Sequence, residues 1–119
     1  MTSGATTVQT RSIGARAVAI AIGGDVTSSS EPVLMAAYEA ANADGASVIV
    51  LDFSEMAYMN SGGIGLLVTL LVRVQRNGQR LMAIGLTEHY QQILSLTRLD
   101  EAIGIHATEA DALAAAGVR

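Results

Sequence analysis

The sequence predicts an α/β protein with a mostly parallel sheet of four to five strands, flanked by about four helices and preceded by an N-terminal β-hairpin. Short runs rich in β-branched residues alternate with segments of helical periodicity, which is typical of strands joined by crossover helices. The run 46–54 is continuously apolar, as expected for a strand buried on both faces of a parallel sheet. The length of 119 residues fits one domain spanning 1–119, with a flexible N-terminus over residues 1–5.

The individual elements follow from periodicity and from the residues that interrupt it. The predicted strands are 6–13, 16–24, 46–54, 79–86 and 102–108. The predicted helices are 30–45, 62–75, 87–99 and 108–117. Gly14-Ala15 separates the first two strands, and this short spacing favours a hairpin.

Residues that start and end helices support these boundaries. Pro32 follows Ser30 and suits the first turn of a helix. Gly78 can adopt the left-handed conformation that ends the second helix. Thr87 is a candidate N-cap, and Thr108 with Asp111 resembles a capping box.

Composition excludes several function classes. The net charge is −4 and aromatic residues make up 3% of the chain, which argues against a nucleic-acid partner. All seven basic residues are arginine and there is no cysteine, so lysine-based catalysis, disulfides and thiolate metal sites are excluded. The longest apolar run, 64–72, is much shorter than the roughly 20 residues of a membrane span. A cytoplasmic protein without membrane insertion is expected, with no signal peptide at its N-terminus.

The stretch FSEMAYMNSGGIGLLV, residues 53–68, is the strongest candidate for a functional site. Asn60 and Ser61 precede a helical segment, and either residue could be its N-cap. Three glycines near the start of that helix exceed what capping requires, because each costs roughly 1 kcal/mol relative to alanine in a helix interior. Their small size would let another backbone or a bulky group approach Ser61. A phosphate on Ser61 would also face the positive end of the helix dipole.

The helix behind Ser61 is apolar on nearly all sides. One stripe suits the core and contains Ile64, Leu67, Val68, Leu71 and Val74. A second stripe contains Leu66 and Leu70, which are expected to be exposed for a partner or else covered by neighbouring helices.

Almost the whole chain resembles a STAS domain of the bacterial anti-anti-sigma factor (anti-sigma factor antagonist) group. The resemblance rests on VAIAIGGDVTSSSEP, on SVIVLDFSEMAYMNSGGIGLLV and on GQRLMAIGLTEHYQQILSLTRLDEAIGIHAT, which occur in the family's order. The most specific piece, MNSGGIGLL, is similar to the family signature Met-Asp-Ser-Ser/Thr/Ala-Gly-Leu-Gly. Two positions depart from the family pattern. Asn60 replaces the aspartate before the serine, and Gly24-Asp25-Val26-Thr27 replaces Gly-Glu-Leu-Asp.

The resemblance implies a function by protein–protein binding, without catalysis or a cofactor. The unphosphorylated chain would bind an anti-sigma factor that is itself a serine kinase of the histidine-kinase-like ATPase fold, and so release a sigma factor. Phosphorylation of Ser61 would end this binding, and a serine phosphatase would reset it. The expected partner-binding residues are Asp25, Thr27, Asn60, Ser61, Gly62, Gly63, Leu66 and Leu70.

Two other hypotheses are open. The chain could be a STAS scaffold subunit of a stressosome-like or transporter-associated complex, or a homo-oligomer, in which Ser61 has no switching role. It could also be a small enzyme on a flavodoxin-like sheet, although no nucleophile, base and orienting group come together in the sequence. Gly63-x-Gly65 lacks the third glycine of a dinucleotide loop, and His89 and His106 have no partner at metal-ligand spacing.

Overall fold

The computed structural model describes residues 4–118, which form six strands and four α-helices. The strands are β1 (Thr7–Gly14), β2 (Ala17–Val26), β3 (Val48–Asp52), β4 (Met56–Met59), β5 (Arg80–Ile84) and β6 (Gly104–Ile105). The α-helices are α1 (Glu31–Ala43), α2 (Ser61–Arg76), α3 (Glu88–Leu96) and α4 (Glu109–Ala115). Two short 3-10 turns, Ser28–Ser30 and Leu99–Glu101, lie before α1 and after α3.

The sheet has the predicted mixed topology. Its strand order is β1-β2-β3-β5-β6, with β1 antiparallel to β2 and the other neighbours parallel. The predicted hairpin and mostly parallel sheet are therefore confirmed. The sixth strand, β4, was not predicted, and it pairs with the last residues of β2 beyond the part that β3 covers.

The two faces of the sheet bury separate cores. The larger core holds side chains of α1, α2 and α3 against one face, including Leu34, Leu67, Leu70 and Leu94. The smaller core covers the other face with α4, around Ala112. In this arrangement α2 is one of the helices that cover the larger core, so the side of α2 that faces the sheet is its buried side.

Most predicted boundaries are within a few residues of the observed ones. Gly45 and Gly78 both have left-handed φ values, +81° and +66°, as expected for glycines that follow a helix. Thr108 caps α4 by accepting a hydrogen bond from the Asp111 N–H (3.1 Å). Thr87 occupies the N-cap position of α3, although its side chain makes no capping hydrogen bond. The predicted third helix and last strand were too long, because Arg98 has a left-handed φ of +62° and β6 pairs over only two residues.

The N-terminal segment 1–5, predicted to be flexible, is described only in part. Residues 1–3 lie outside the described residues. The Gly4 carbonyl accepts a hydrogen bond from the Asp25 N–H (3.2 Å), so the chain reaches the end of β2 before β1 begins. The Thr6 hydroxyl donates to the Asp25 carbonyl (2.7 Å) and strengthens this connection.

Candidate functional site

The candidate site lies where α2 begins, directly after β4. The sequence predicts a loop over residues 59–62 at the end of the strand 46–54, whereas the structure inserts β4 between them. Met59 is the last residue of β4 and pairs with Val26 of β2. The site is therefore positioned by the end of β2, which is an interior strand of the sheet between β1 and β3.

Asn60 is the N-cap of α2. Its backbone is extended (φ −103°, ψ −175°), and its side-chain oxygen accepts a hydrogen bond from the Gly63 N–H (3.0 Å). Its own N–H donates to the Val26 carbonyl (3.2 Å), which ties the helix start to β2. The sequence left Asn60 and Ser61 as alternative caps, and the structure assigns the cap to Asn60.

Ser61 is therefore the first residue of the helix, and its hydroxyl is not needed for capping. The residue is exposed, and its hydroxyl makes no side-chain hydrogen bond within residues 4–118. Other exposed serines are Ser12, Ser28, Ser29, Ser54 and Ser95, but none of them begins an α-helix. The first turn of α2 has no acidic residue among the described positions, so the positive end of the helix dipole is not neutralised there.

The three glycines near Ser61 have different structural roles. A Cβ on Gly63 would lie 2.5 Å from the Val26 carbonyl oxygen, and a Cβ on Gly62 would lie 2.9 Å from the Ser28 nitrogen. The backbone that approaches these two glycines is thus the protein's own segment 26–28. A Cβ on Gly65 would meet nothing within 4 Å. Gly62 and Gly63 therefore make room for the protein's own backbone and not for a partner. Of the three glycines, Gly65 is the one beside open space.

The predicted residues Asp25 and Thr27 lie beside this helix start. The Thr27 hydroxyl accepts from the Ser29 N–H (3.2 Å), and the Thr27 N–H donates to the Ser30 hydroxyl (3.0 Å), forming a reciprocal capping box. Thr27 therefore holds the 3-10 turn in place. Asp25 is half-buried, and its carboxylate makes no ion pair or side-chain hydrogen bond within the described chain. Gly62 lies against Ser28, so the 3-10 turn and the start of α2 form one surface.

The sequence left Leu66 and Leu70 either exposed for a partner or covered within the domain; the structure shows that they are covered, so the prediction that they bind a partner is wrong. They are 5% and 0% exposed and belong to the larger core, so they offer no surface to a partner. The assignment of Val68 to the core is also wrong, since 42% of this residue is exposed, and Val72 is 40% exposed. The buried side of α2 is centred on Leu70 because that side faces the sheet. The apolar face available to a partner is the opposite one.

Two tyrosines near the site were missed by the sequence analysis. Tyr90 of α3 accepts a hydrogen bond from the Met59 N–H through its hydroxyl oxygen (3.0 Å) and so holds the end of β4. Tyr58, three residues before Ser61, is 49% exposed and is the register partner of Asp25. No alternation would have indicated Tyr58, because Ala57 and Tyr58 are adjacent in β4 and both are exposed.

Two kinds of feature are absent from residues 4–118. Within residues 4–118, no group of three or more His, Cys, Asp or Glu side chains is placed to hold a metal ion. In the same range, no helix combines the length and apolar character needed to cross a membrane.

A mixed sheet with three helices on one face, and a helix that begins with Ser61 beside the end of β2, is the α/β architecture expected from the sequence. The family model described as "Mlab, STAS domain" matches residues 10–107. The chain belongs to the STAS domain family.

Solved structures with the same fold include anti-sigma factor antagonists. One from Mycobacterium paratuberculosis is 21% identical with a TM-score of 0.78, and the match covers 93% of each chain. The anti-sigma factor antagonist SpoIIAA in its unphosphorylated form is 18% identical (TM-score 0.71; 93% of this chain and 98% of the other). The phosphorylated form of SpoIIAA from Bacillus is 19% identical (TM-score 0.71; 92% and 99%). These similarities establish the SpoIIAA-like fold.

Proposed function

We propose that this protein is an anti-sigma factor antagonist that is switched by phosphorylation of Ser61. The unphosphorylated chain binds an anti-sigma factor that is also a serine kinase with a histidine-kinase-like ATPase fold, and this binding releases a sigma factor. The observation that carries the proposal is the position of Ser61. It is an exposed helix-start serine whose hydroxyl is left free because Asn60 supplies the cap.

The switching step is a phosphoryl transfer. The Ser61 hydroxyl oxygen attacks the γ-phosphorus of ATP bound to the kinase, its proton passes to a base of the kinase, and ADP leaves. The product carries about −1.5 to −2 additional charge at neutral pH. Free N–H groups in the first turn of α2 would stabilise this phosphate in the isolated chain. In the complex, the same charge would have to lose its hydration, which favours dissociation.

A serine phosphatase would restore the binding form by hydrolysing the phosphoserine. Asp25, Thr27, Asn60 and Gly62 complete the proposed contact surface, since the Gly62–Ser28 contact joins them. The predicted partner residue Gly63 is buried against Val26 and is not part of this surface. Asn60 keeps the capping function that an aspartate would have, but it places no negative charge beside Ser61, the residue that would accept the phosphate. The proposal thus predicts recognition of Ser61 by a kinase that does not require an acidic residue before it.

The first experiment is phosphopeptide mass spectrometry. The protein is incubated with ATP and each candidate serine kinase of its source cell, beside Ser61→Ala and Ser95→Ala variants. Ser95 is a matched control, being another exposed serine on a helix. We expect phosphate on Ser61 in the wild type and in Ser95→Ala, and none at this site in Ser61→Ala. Phosphate at other positions only, or at none with every kinase, would contradict the proposal.

A binding experiment tests the second half of the mechanism. Ser61→Ala should bind the kinase as the unmodified chain does, whereas Ser61→Asp should bind more weakly because it places a charge at the interface. Equal binding of the two variants would show that Ser61 is not the switch. The scaffold alternative was favoured by an exposed Leu66/Leu70 stripe, and burial of both leucines removes that support.

A further inference from the structure

The two edges of the sheet differ in how much strand they expose. At one edge, β6 pairs over only two residues, and such short edge strands are one way in which proteins avoid pairing with other chains. At the other edge, β1 is eight residues long, and within the described chain it pairs with β2 alone. This pairing is regular from Thr7 to Ser12, and its one irregularity lies between Ser12 and Gly14. A long and regular strand edge is therefore left open at β1.

The open side of β1 carries backbone groups that are free to bond. In an antiparallel pair every second residue directs its N–H and C=O toward the neighbouring strand, so the residues between them direct theirs to the other side. Apart from the pairing with β2, no hydrogen bond within residues 4–118 involves the backbone of Thr7–Gly14. Residues 4–6 continue along β2, because the Gly4 carbonyl accepts from the Asp25 N–H. We call the open side of Thr7–Gly14 the β1 edge.

The side chains of β1 do not protect this edge. Natural edge strands are commonly protected by lysine, by proline or by a charge that points inward. The strand TVQTRSIG has neither lysine nor proline, and its single charge, on Arg11, is paired within the chain with Glu109 of α4. Thr7, Val8 and Thr10 are of the types that favour strands. The β1 edge is therefore suited to pairing with a further strand.

Helix α1 continues the open surface above the same edge. Glu39 pairs with Arg73 of α2, so this side of α1 faces the neighbouring helix. Another side of α1 carries Val33 and Ala40, which are seven residues apart and both exposed. Ala40 lines an open groove together with Thr10 of β1. A small, uncharged helix surface thus adjoins the β1 edge.

We infer that the β1 edge, with the side of α1 that carries Val33 and Ala40, is the interface through which two copies of this chain form a dimer in solution. The copies are related by a two-fold axis perpendicular to the sheet, and their β1 strands pair antiparallel in one continuous sheet. Both α1 helices then lie on the same face of that sheet, side by side. The inference goes beyond the proposed function and does not depend on it, since Ser61 belongs to neither β1 nor α1.

The area available favours a second copy over a strand of another protein. At roughly 3.3 Å per residue β1 is about 26 Å long, and a helix layer on a sheet is about 20 Å thick. Contact over this side of the domain buries about 500 Å² of each copy, or about 1,000 Å² in total, which reaches the lower limit for a specific interface. A lone strand from another protein would leave the α1 surface uncovered, whereas a second copy covers both elements.

Charge is also compatible with self-association. A two-fold axis through Thr10 places Arg11 of each copy opposite Gln9 of the other, so no like charges face each other across the strand pair. The same axis keeps side chains that face α1 in one copy on the α1 side of the joined sheet, because residues directly opposite each other in an antiparallel pair point to the same face. Register and sidedness are thus consistent with one dimer.

Sedimentation velocity over a concentration series tests the inference with the wild type and three variants. Thr10→Lys places like charges on the paired strands, and Ala40→Glu places them between the two α1 helices. Ala102→Glu is the matched control, because Ala102 is exposed and lies just before β6 at the opposite edge of the sheet. We expect the wild type to reach twice the monomer mass, the first two variants to dimerise at least roughly tenfold more weakly, and the control to stay within about twofold. Far-UV circular dichroism and thermal unfolding verify that each variant is folded.

Hydrogen exchange of the wild type at high and low concentration identifies the surface. We expect the amides of Thr7–Gly14 to be better protected at high concentration, because the dimer bonds backbone groups that the monomer leaves to water. A dimer without this protection, or one that Thr10→Lys and Ala40→Glu weaken no more than Ala102→Glu does, uses another surface and overturns the inference. A chain that is monomeric at every concentration also overturns it, and the β1 edge is then left to a strand of another protein. Phosphorylation of such a monomer on Ser61 would leave the proposed function standing.

Discussion

Replacing Gly65 by alanine should stabilise the protein, whereas replacing Gly63 by alanine should not. Both residues lie in the first turns of α2, where alanine is favoured over glycine by about 1 kcal/mol. At Gly65 the new Cβ would meet nothing within 4 Å, so most of this gain should appear. We expect Gly65→Ala to raise the free energy of unfolding by about 0.5–1 kcal/mol.

At Gly63 the same methyl group has no room. It would lie 2.5 Å from the Val26 carbonyl oxygen and 2.7 Å from Met59 Cγ. The carbonyl cannot withdraw freely because it accepts the Asn60 N–H hydrogen bond that joins α2 to β2. Overpacking of this kind typically costs about 1–3 kcal/mol. After the helix-propensity gain of about 1 kcal/mol, Gly63→Ala should be neutral to about 2 kcal/mol less stable than the wild type.

Urea unfolding of the wild type and both variants measures this difference. The slope with denaturant should be the same in all three proteins, so that a shift in midpoint reports stability alone. Gly65→Ala should unfold at a higher urea concentration than the wild type, and Gly63→Ala at a lower or equal one. The reasoning would be refuted if Gly63→Ala were as stable as Gly65→Ala, since the two substitutions differ only in the contacts of the added methyl group.

Two further substitutions test the capping and core contacts by the same urea assay. Asn60→Ala removes the acceptor for the Gly63 N–H and should lower stability by about 1 kcal/mol, whereas Asn60→Asp should preserve it; equal losses in both would argue against the cap. Tyr38→Phe removes a buried hydroxyl that accepts from Asn77 (2.6 Å), and should cost about 1–2 kcal/mol. Tyr58→Phe, at an exposed position, is the control and should change stability by less than about 0.5 kcal/mol; a comparable effect at both tyrosines would contradict this account.

The order and type of most helices and strands could be predicted from the sequence. The buried strand β3 follows from its unbroken apolar run, and the glycines at 45 and 78 mark helix ends because they adopt left-handed φ values. The strand β4 was missed because it is only four residues long and follows β3 after three residues. Its pairing partner is the end of β2, about 30 positions earlier, so no local pattern indicates it.

The rotation of α2 could not be obtained from its own sequence. Leucines and valines occur around most of the helix, so two adjacent stripes fit the core about equally well. The choice is made by contacts with distant segments. Gly63 lies against Val26, which turns the side centred on Leu70 toward the sheet and leaves Val68 exposed. A glycine that lies too close to another backbone segment to carry a Cβ therefore shows how its helix is rotated. This can be used only once the neighbouring segment is known.

The proposed switch site combines two requirements that fall on different residues. A helix start needs a side chain that accepts a backbone hydrogen bond, and a modification site needs a hydroxyl that is free to react. Asn60 meets the first requirement by accepting the Gly63 N–H hydrogen bond, which leaves the Ser61 hydroxyl for the proposed phosphorylation. Strengthening the cap should therefore stabilise the domain without weakening the switch, whereas any substitution that ties up the Ser61 hydroxyl should abolish switching and leave the fold intact.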